Sequence, residues 1–118
     1  MAGSERARFG AFDIVVVPFP YADRLAEKRR PALVISGAKL APFGLVWVAM
    51  ITSMENEPWP GDVAISDLNR AGLPAPSIVR PAKIACIEAE RIERRAGRLD
   101  KAAARMVAQR IRGFLASV

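Results

Sequence analysis

Lys28-Arg29-Arg30-Pro31-Ala32-Leu33-Val34-Ile35-Ser36 runs three cations into a proline and then, without a break, into an apolar β-type segment. Pro31 has a fixed φ and no N–H, which suits the first residue of a strand. Arg30, as the residue before proline, is held out of helical space as well. The sequence therefore predicts a strand over 31–36 with the Arg30 guanidinium held at its mouth. Planar and permanently charged, that group is suited to gripping a phosphate. Taken alone, the run reads first as a solvated charge cluster at a strand end, and only its companions change that.

Outward from this stretch, Asp13-Ile14-Val15-Val16-Val17-Pro18-Phe19-Pro20 is a β-branched run closed by prolines, in which Pro18 points to an edge or a bulge. Residues 21–29 form a polar loop and 37–44 a turn-rich connection. The segment 45–52 is almost wholly apolar, which predicts a central strand. A second loop covers 54–59, and a short strand 61–65. Ser66 or Asp67 caps a helical turn that Gly72 ends. Residues 77–80 lead into a strand over 83–89 that buries Cys86, and 94–99 add a last short one.

Asp100 then caps a helix in which Ala103, Met106, Val107, Arg110, Ile111, Phe114 and Leu115 recur at helical spacing, a stripe expected to face the core. Short strands with Pro/Gly turns and one closing helix predict a mainly-β chain with helices (α+β), folded as a small, strongly bent antiparallel barrel. Residues 1–10 read as a loose N-terminal segment and 11–118 as a single domain.

Composition narrows the chemistry. The 118 residues carry 18 Lys and Arg against 12 Asp and Glu, a net charge of +6. That excess favours a polyanionic partner such as nucleic acid. It is concentrated in 80–112, where ten cations face four acids. A lone cysteine fits a reducing, cytoplasmic setting. No apolar run approaches membrane-spanning length, so no membrane partner is expected. His is absent altogether. Its absence removes the commonest general acid–base and the usual zinc ligand, so neither a metal nor a cofactor is expected. Catalysis must run on Arg, Lys, hydroxyls or carboxylates.

Arg30 enters one apolar strand and Thr52-Ser53 leaves another. If the two pair antiparallel, Arg30 and Thr52 share a rim. A guanidinium and a hydroxyl together hold a phosphodiester and stabilise its trigonal-bipyramidal transition state. RNA brings its own nucleophile, the 2′-OH, and needs no metal for cleavage at such a site.

The ordered set Phe12-Asp13-Ile14-Val15-Val16-Val17-Pro18-Phe19-Pro20, then 28–36, then Ile51-Thr52-Ser53 resembles the MazF/PemK family of toxin endoribonucleases from type II toxin–antitoxin systems. Trp59-Pro60-Gly61-Asp62-Val63, Ala71-Gly72-Leu73, 76–84 and Gly97-Arg98-Leu99 extend the resemblance over roughly residues 11–116. It implies a PemK/CcdB-type, SH3-like barrel that forms a homodimer. It also implies metal-independent cleavage of single-stranded RNA at short sequences, leaving 2′,3′-cyclic phosphate and 5′-OH ends. Arg30 then corresponds to the family's principal acid–base residue and Thr52 to its phosphate-stabilising hydroxyl. A cognate antitoxin, threading an acidic or apolar segment over the dimer groove, is implied as partner and suits a chain of charge +6.

Further RNA contacts are expected from Lys28, Arg80 and Lys83 to phosphates and from Ser53 beside the site. Trp59, Tyr21 and Phe19 stand in or near loops, where they offer stacking surfaces for unpaired bases. Two departures from the family stand out. Phe12 occupies the place of a usual glycine before the first strand. Ala82 supplies no carboxylate where some members carry a base, which leaves Asp13 or Glu27 as substitutes. The alternatives are a gyrase-targeting toxin of the same fold, disfavoured because the tail Leu115-Ala116-Ser117-Val118 lacks a tryptophan, and a non-catalytic barrel that binds RNA or an acidic peptide.

Overall fold

The computed structural model describes residues 9–19 and 28–116. Six strands make one sheet: β1 (Asp13–Phe19), β2 (Lys28–Val34), β3 (Leu45–Ser53), β4 (Val63–Ile65), β5 (Ser77–Glu88) and β6 (Arg94–Arg98). Their order is β4-β5-β3-β2-β1-β6 and every pairing is antiparallel. Two helices complete the fold, α1 (Leu68–Ala71) and α2 (Lys101–Phe114), with 3₁₀ turns at Ala38–Phe43 and Ala89–Arg91. The sheet curls into a half-barrel with α2 at the C-terminus, as the strand pattern predicts.

The apolar runs are explained by burial on both faces of the sheet. Ile14, Leu33, Ala49, Ile51 and Val79 pack on one side with Ala71, Leu99, Ala103, Ala104 and Val107. Their neighbours of opposite parity, Val15, Val17, Ala32, Val34, Val46 and Val48, form a second cluster with Ile87 and Ile92. β3 lies between β5 and β2, the central place its composition demands. Asp67 accepts from the Arg70 N–H and Asp100 from the Ala103 N–H, so both expected helix caps are present.

Several local readings change. Pro31 is not the first residue of β2 but its middle, opposite Val16 of β1. The β2–β3 ladder begins only at Ala32, so Pro31 stands where β2 has a single partner strand. Pro18 likewise lies beyond the end of the β1–β6 ladder at Val16. Residues 77–80 and 83–88 form one long strand, not two, because β5 absorbs a bulge. Ala49 pairs with Ile84 but Met50 with Arg80, leaving Pro81, Ala82 and Lys83 unopposed. Beyond this bulge the alternation turns Ile84 and Cys86 outward, so Cys86 is exposed and not buried. In α2 the buried face is Ala103, Ala104 and Val107, whereas Met106, Phe114 and Leu115 are exposed.

The half-barrel is closed by glycine contacts. A Cβ on Gly97 would stand 2.3 Å from the Arg70 carbonyl oxygen, and one on Gly72 only 2.0 Å from that of Ala96. Only bare backbones let α1 lie this closely on β6. Just before β1, Phe12 takes φ +72°, the left-handed region that favours glycine. Its N–H donates to Val34 O and its carbonyl accepts from Leu99 N, which fixes this conformation. Phe9 packs on the second cluster, and the Gly10 N–H donates to Asp13 Oδ2.

Candidate functional site

Ala32, Leu33 and Val34 of β2 pair with Met50, Ala49 and Val48 of β3. Two residues farther along the same register stand Arg30 and Thr52. Both continue the rows (32 and 34; 48 and 50) that face the second core cluster, so they share one face as well as one end of the sheet. Both side chains are half-buried at the rim of that face. A charged donor and a hydroxyl thus stand on one face, just beyond the point where the β2–β3 ladder ends.

The loop after β3 is built around Thr52. Asn56 Nδ2 donates to Thr52 Oγ1 at 2.6 Å, and Asn56 N donates to Ser53 O at 3.1 Å. Ser53 Oγ accepts from Glu55 N, which commits that exposed hydroxyl to the turn. Because Thr52 accepts from Asn56, its own O–H proton is left to donate. Asn56 carries no motif in the sequence. Only its four-residue spacing from a strand-end hydroxyl, in a loop of turn formers, hints at it.

At the far end of that loop, Trp59-Pro60-Gly61-Asp62 makes a turn with Asp62 N donating to Trp59 O and Gly61 at φ +91°. Pro then Gly in the central positions is the type II signature, so Gly61 and Asp62 belong to this turn and the strand expected over 61–65 begins only at Val63. The Asp62 carboxylate accepts from Trp59 N (2.9 Å), from Arg80 Nε (3.0 Å) and from Arg80 Nη2 (3.0 Å). Arg80 Nη2 also donates to Glu57 O, and Arg80 Cζ lies 4.3 Å from the Trp59 ring centroid. Burial pushes the Asp62 carboxyl up, but hydrogen bonds from Arg80 and Trp59 and the Arg80 charge outweigh it, and the group sits below its ordinary 3.8.

This corrects the expectation for Arg80. It is not a surface cation offered to phosphate: only 6% of it is exposed, and its guanidinium is committed to Asp62, Glu57 and the indole. Trp59 remains 41% exposed. Lys83 sits half-buried in the β5 bulge, and Lys28 is placed opposite Phe19 by its backbone pairing. Arg29 donates from Nε to both carboxylate oxygens of Glu93 at 2.7 Å, a surface pair bridging across β1. Tyr21 and Glu27 lie outside the described residues.

Asp13, one of the two substitutes for the missing base, is taken elsewhere. It is 1% exposed and holds Arg98 at 2.5 Å, Arg95 at 3.4 Å and the Gly10 N–H at 2.9 Å. In β1 it stands four residues from Val17, the partner of Arg30. Its role is to knit β1 to β6. Ala82 is exposed and brings no acid to the site. Among the described residues, no three Cys, Asp or Glu side chains gather as a metal-binding group.

Comparison with known proteins agrees with this architecture. Crystal-structure neighbours include a MazF from Deinococcus radiodurans (22% identity, TM-score 0.72, covering 91% of this chain and 96% of that one). The Mycobacterium tuberculosis toxin MazF-mt6 is similar at 22% identity and TM-score 0.69, covering 87% of this chain and 95% of that one. An endoribonuclease in complex with its cognate antitoxin, from a mycobacterial species, superposes at TM-score 0.70 with 14% identity, covering 92% and 94%. No curated protein sequence matches at a significant level. The sequence pattern of the family described as "PemK-like, MazF-like toxin of type II toxin-antitoxin system" matches residues 11–115. The chain therefore belongs to the PemK-like, MazF-like toxins of type II toxin–antitoxin systems.

Proposed function

We propose that the protein is an endoribonuclease that cleaves single-stranded RNA without a metal ion, with Arg30 and Thr52 as its catalytic pair. The observation that supports this reading is the β2–β3 register, which, continued two residues past the Ala32–Met50 pair, brings Arg30 and Thr52 to the same face and the same end of the sheet. In the reaction the 2′-oxygen of one nucleotide bonds to the adjacent phosphorus and loses its proton. The bond from phosphorus to the 5′-oxygen breaks, and that oxygen takes up a proton. The products are a 2′,3′-cyclic phosphate and a 5′-OH end.

Negative charge gathers on the non-bridging oxygens as phosphorus becomes five-coordinate. Arg30 answers it with fixed N–H donors, and Thr52 with the proton that its bond from Asn56 leaves available. With five N–H donors and no acceptor, Arg30 serves as donor and electrostatic stabiliser. Lys28, Lys83 and Ser53 complete the reading as further contacts to the RNA strand. The reading extends to a homodimer in a cytoplasmic setting, and to a cognate antitoxin whose acidic segment a chain of charge +6 would attract. A MazE–MazF complex of Deinococcus radiodurans among the similar folds supports that partner class.

Incubation with a long single-stranded RNA in EDTA tests the reading. Discrete fragments bearing cyclic phosphate are expected from the native protein and none from Arg30→Ala. Cleavage at full rate by Arg30→Ala would remove the assigned site. An intact RNA with the native protein would leave a binding barrel in its place.

A further inference from the structure

We infer that Arg80 and Asp62 are positioning residues that hold the Trp59 indole as a stacking platform for an unpaired base of the bound strand. The inference takes its substrate class from the endoribonuclease reading, and it differs in giving Arg80 no phosphate to bind.

Three observations converge on Trp59. One ring face lies on the buried Arg80 guanidinium, with Cζ 4.3 Å from the centroid. The backbone of the same residue is fixed by the same ion pair, since Asp62 accepts the Trp59 N–H while its two oxygens take Arg80 Nε and Nη2. The turn through Gly61 is backed by the C-terminal helix, because a Cβ there would meet Arg110 Cδ at 3.8 Å and Phe114 Cζ at 3.9 Å. Ring, backbone and turn are therefore set by rigid elements. Yet 41% of Trp59 stays in solvent, where a tryptophan merely capping the core would be covered.

The position relative to the catalytic pair is the second argument. Thr52 pairs with Ile78 and Met50 with Arg80, so Arg80 is the diagonal neighbour of Thr52 on the same face of the sheet. Such neighbours stand about 7–8 Å apart. A base flanking the scissile phosphate can therefore lie on the indole. Aromatic stacking tolerates every base and prefers unpaired ones, matching a single-stranded substrate. The guanidinium beneath adds a cation on the ring's inner face and spares the loop from collapsing onto the core.

Trp47→Phe leaves Trp59 as the only tryptophan of the chain and makes its emission the reporter. Titration with a mixed-sequence single-stranded DNA oligonucleotide, which lacks the 2′-OH and is not cut, is expected to quench that emission. Heparin, a polyanion without bases, is expected to leave it unchanged. Equal responses to the two, or none to the oligonucleotide, would overturn the platform. RNA cleavage by the same protein is scored separately, so loss of cleavage with quenching retained sinks the nuclease reading alone. Binding of a labelled oligonucleotide to Trp59→Ala is expected to weaken at least about fivefold, the low end of losing one stacked base. Trp59→Phe should recover part of that loss.

The double variant Arg80→Gln/Asp62→Asn avoids stranding a buried charge. It should weaken binding with an unchanged slope of log affinity against log salt, raise KM more than it lowers kcat, and shift Trp59 emission to the red. A phosphate contact at Arg80 would instead lower the slope by about one and leave the emission in place. That result would overturn the positioning role.

Discussion

Asn56 donates through Nδ2 to Thr52 Oγ1 across 2.6 Å, and this one bond decides which way the threonine proton faces. With its oxygen accepting from the loop, the hydroxyl keeps its own proton to donate, on the proposed reading to a phosphate oxygen. Asn56→Asp reverses the polarity, because a carboxylate only accepts and draws the Thr52 proton to itself. It also places a negative charge beside the phosphate site. Steady-state cleavage assays are expected to show a larger fall in kcat for Asn56→Asp than for Asn56→Ala, which leaves the hydroxyl unanchored but still able to donate. The opposite ranking would show that Asn56 does not orient Thr52.

Arg30→Ala removes a charged donor from the transition state and should lower kcat about 10²–10³-fold, the usual loss for one such donor. Arg30→Lys restores the charge without the planar fork and should recover only part of it. Thr52→Ser keeps the hydroxyl and should cleave well, whereas Thr52→Ala should not. Single-turnover rates on a fixed RNA separate these outcomes from changes in affinity. Equal rates for Thr52→Ser and Thr52→Ala would take the hydroxyl out of the chemistry.

Asp13 was one of two candidates in the sequence for the missing base, and its contacts speak for a scaffold role instead. The carboxylate is 1% exposed and bonded to Arg95, Arg98 and the Gly10 N–H. Arg95 and Arg98 side chains are 53% and 51% exposed, so freed guanidinium groups would rehydrate. Asp13→Asn is therefore expected to cost about 1–3 kcal/mol in urea unfolding, less than rupture of a sealed pair. At a temperature where the variant stays folded, kcat should match the native value. A large loss of kcat with unaltered stability would return Asp13 to the catalytic role.

Much of the fold was legible because the signals are local. Asp67 with Gly72 and Asp100 with the periodicity after it mark both helices at their caps. The apolar run of β3 gives its central place. The readings that failed depend on contacts distant in sequence. Nothing near Pro81 announces a bulge, since the bulge exists only against Ala49 and Met50, some thirty residues away. The exposure of Cys86 follows from that same bulge. Arg30 and Thr52 were singled out in the sequence by the proline after one and the apolar run before the other, both of them local signals. Arg80 was expected as a phosphate contact because its partner Asp62 lies in a turn remote from it in sequence, and a lone arginine in a strand gives no sign of being paired.

Gly97 tests how the half-barrel closes. An added Cβ would meet the Arg70 and Ala71 carbonyl groups at 2.3–2.5 Å, and backbone atoms cannot step aside as a side chain can. Gly97→Ala should destabilise by about 1–3 kcal/mol, the range for overpacking. Gly37→Ala, with nothing within 4 Å of the new methyl, should stay within about 0.5 kcal/mol of the native protein. Denaturant midpoints at constant m-value provide the comparison. A neutral Gly97→Ala would mean that α1 does not press on β6 in solution.

The Asp62 carboxyl gives the loop a defined response to acid. Folding lowers its pKa below the ordinary 3.8, so the folded protein binds that proton more weakly than the unfolded chain does. The contribution of the ion pair is therefore complete above that value and is lost as pH falls through the depressed folded pKa. No histidine is present to titrate nearer neutrality. In the Trp47→Phe background, Trp59 emission is expected to hold steady from about pH 8 to pH 5 and to shift only below about pH 4. Asp62→Asn should remove the acid step, since an amide holds Arg80 the same way at every pH. A transition in the native protein at pH 5 or above, or one that survives Asp62→Asn, would show that another group controls the loop.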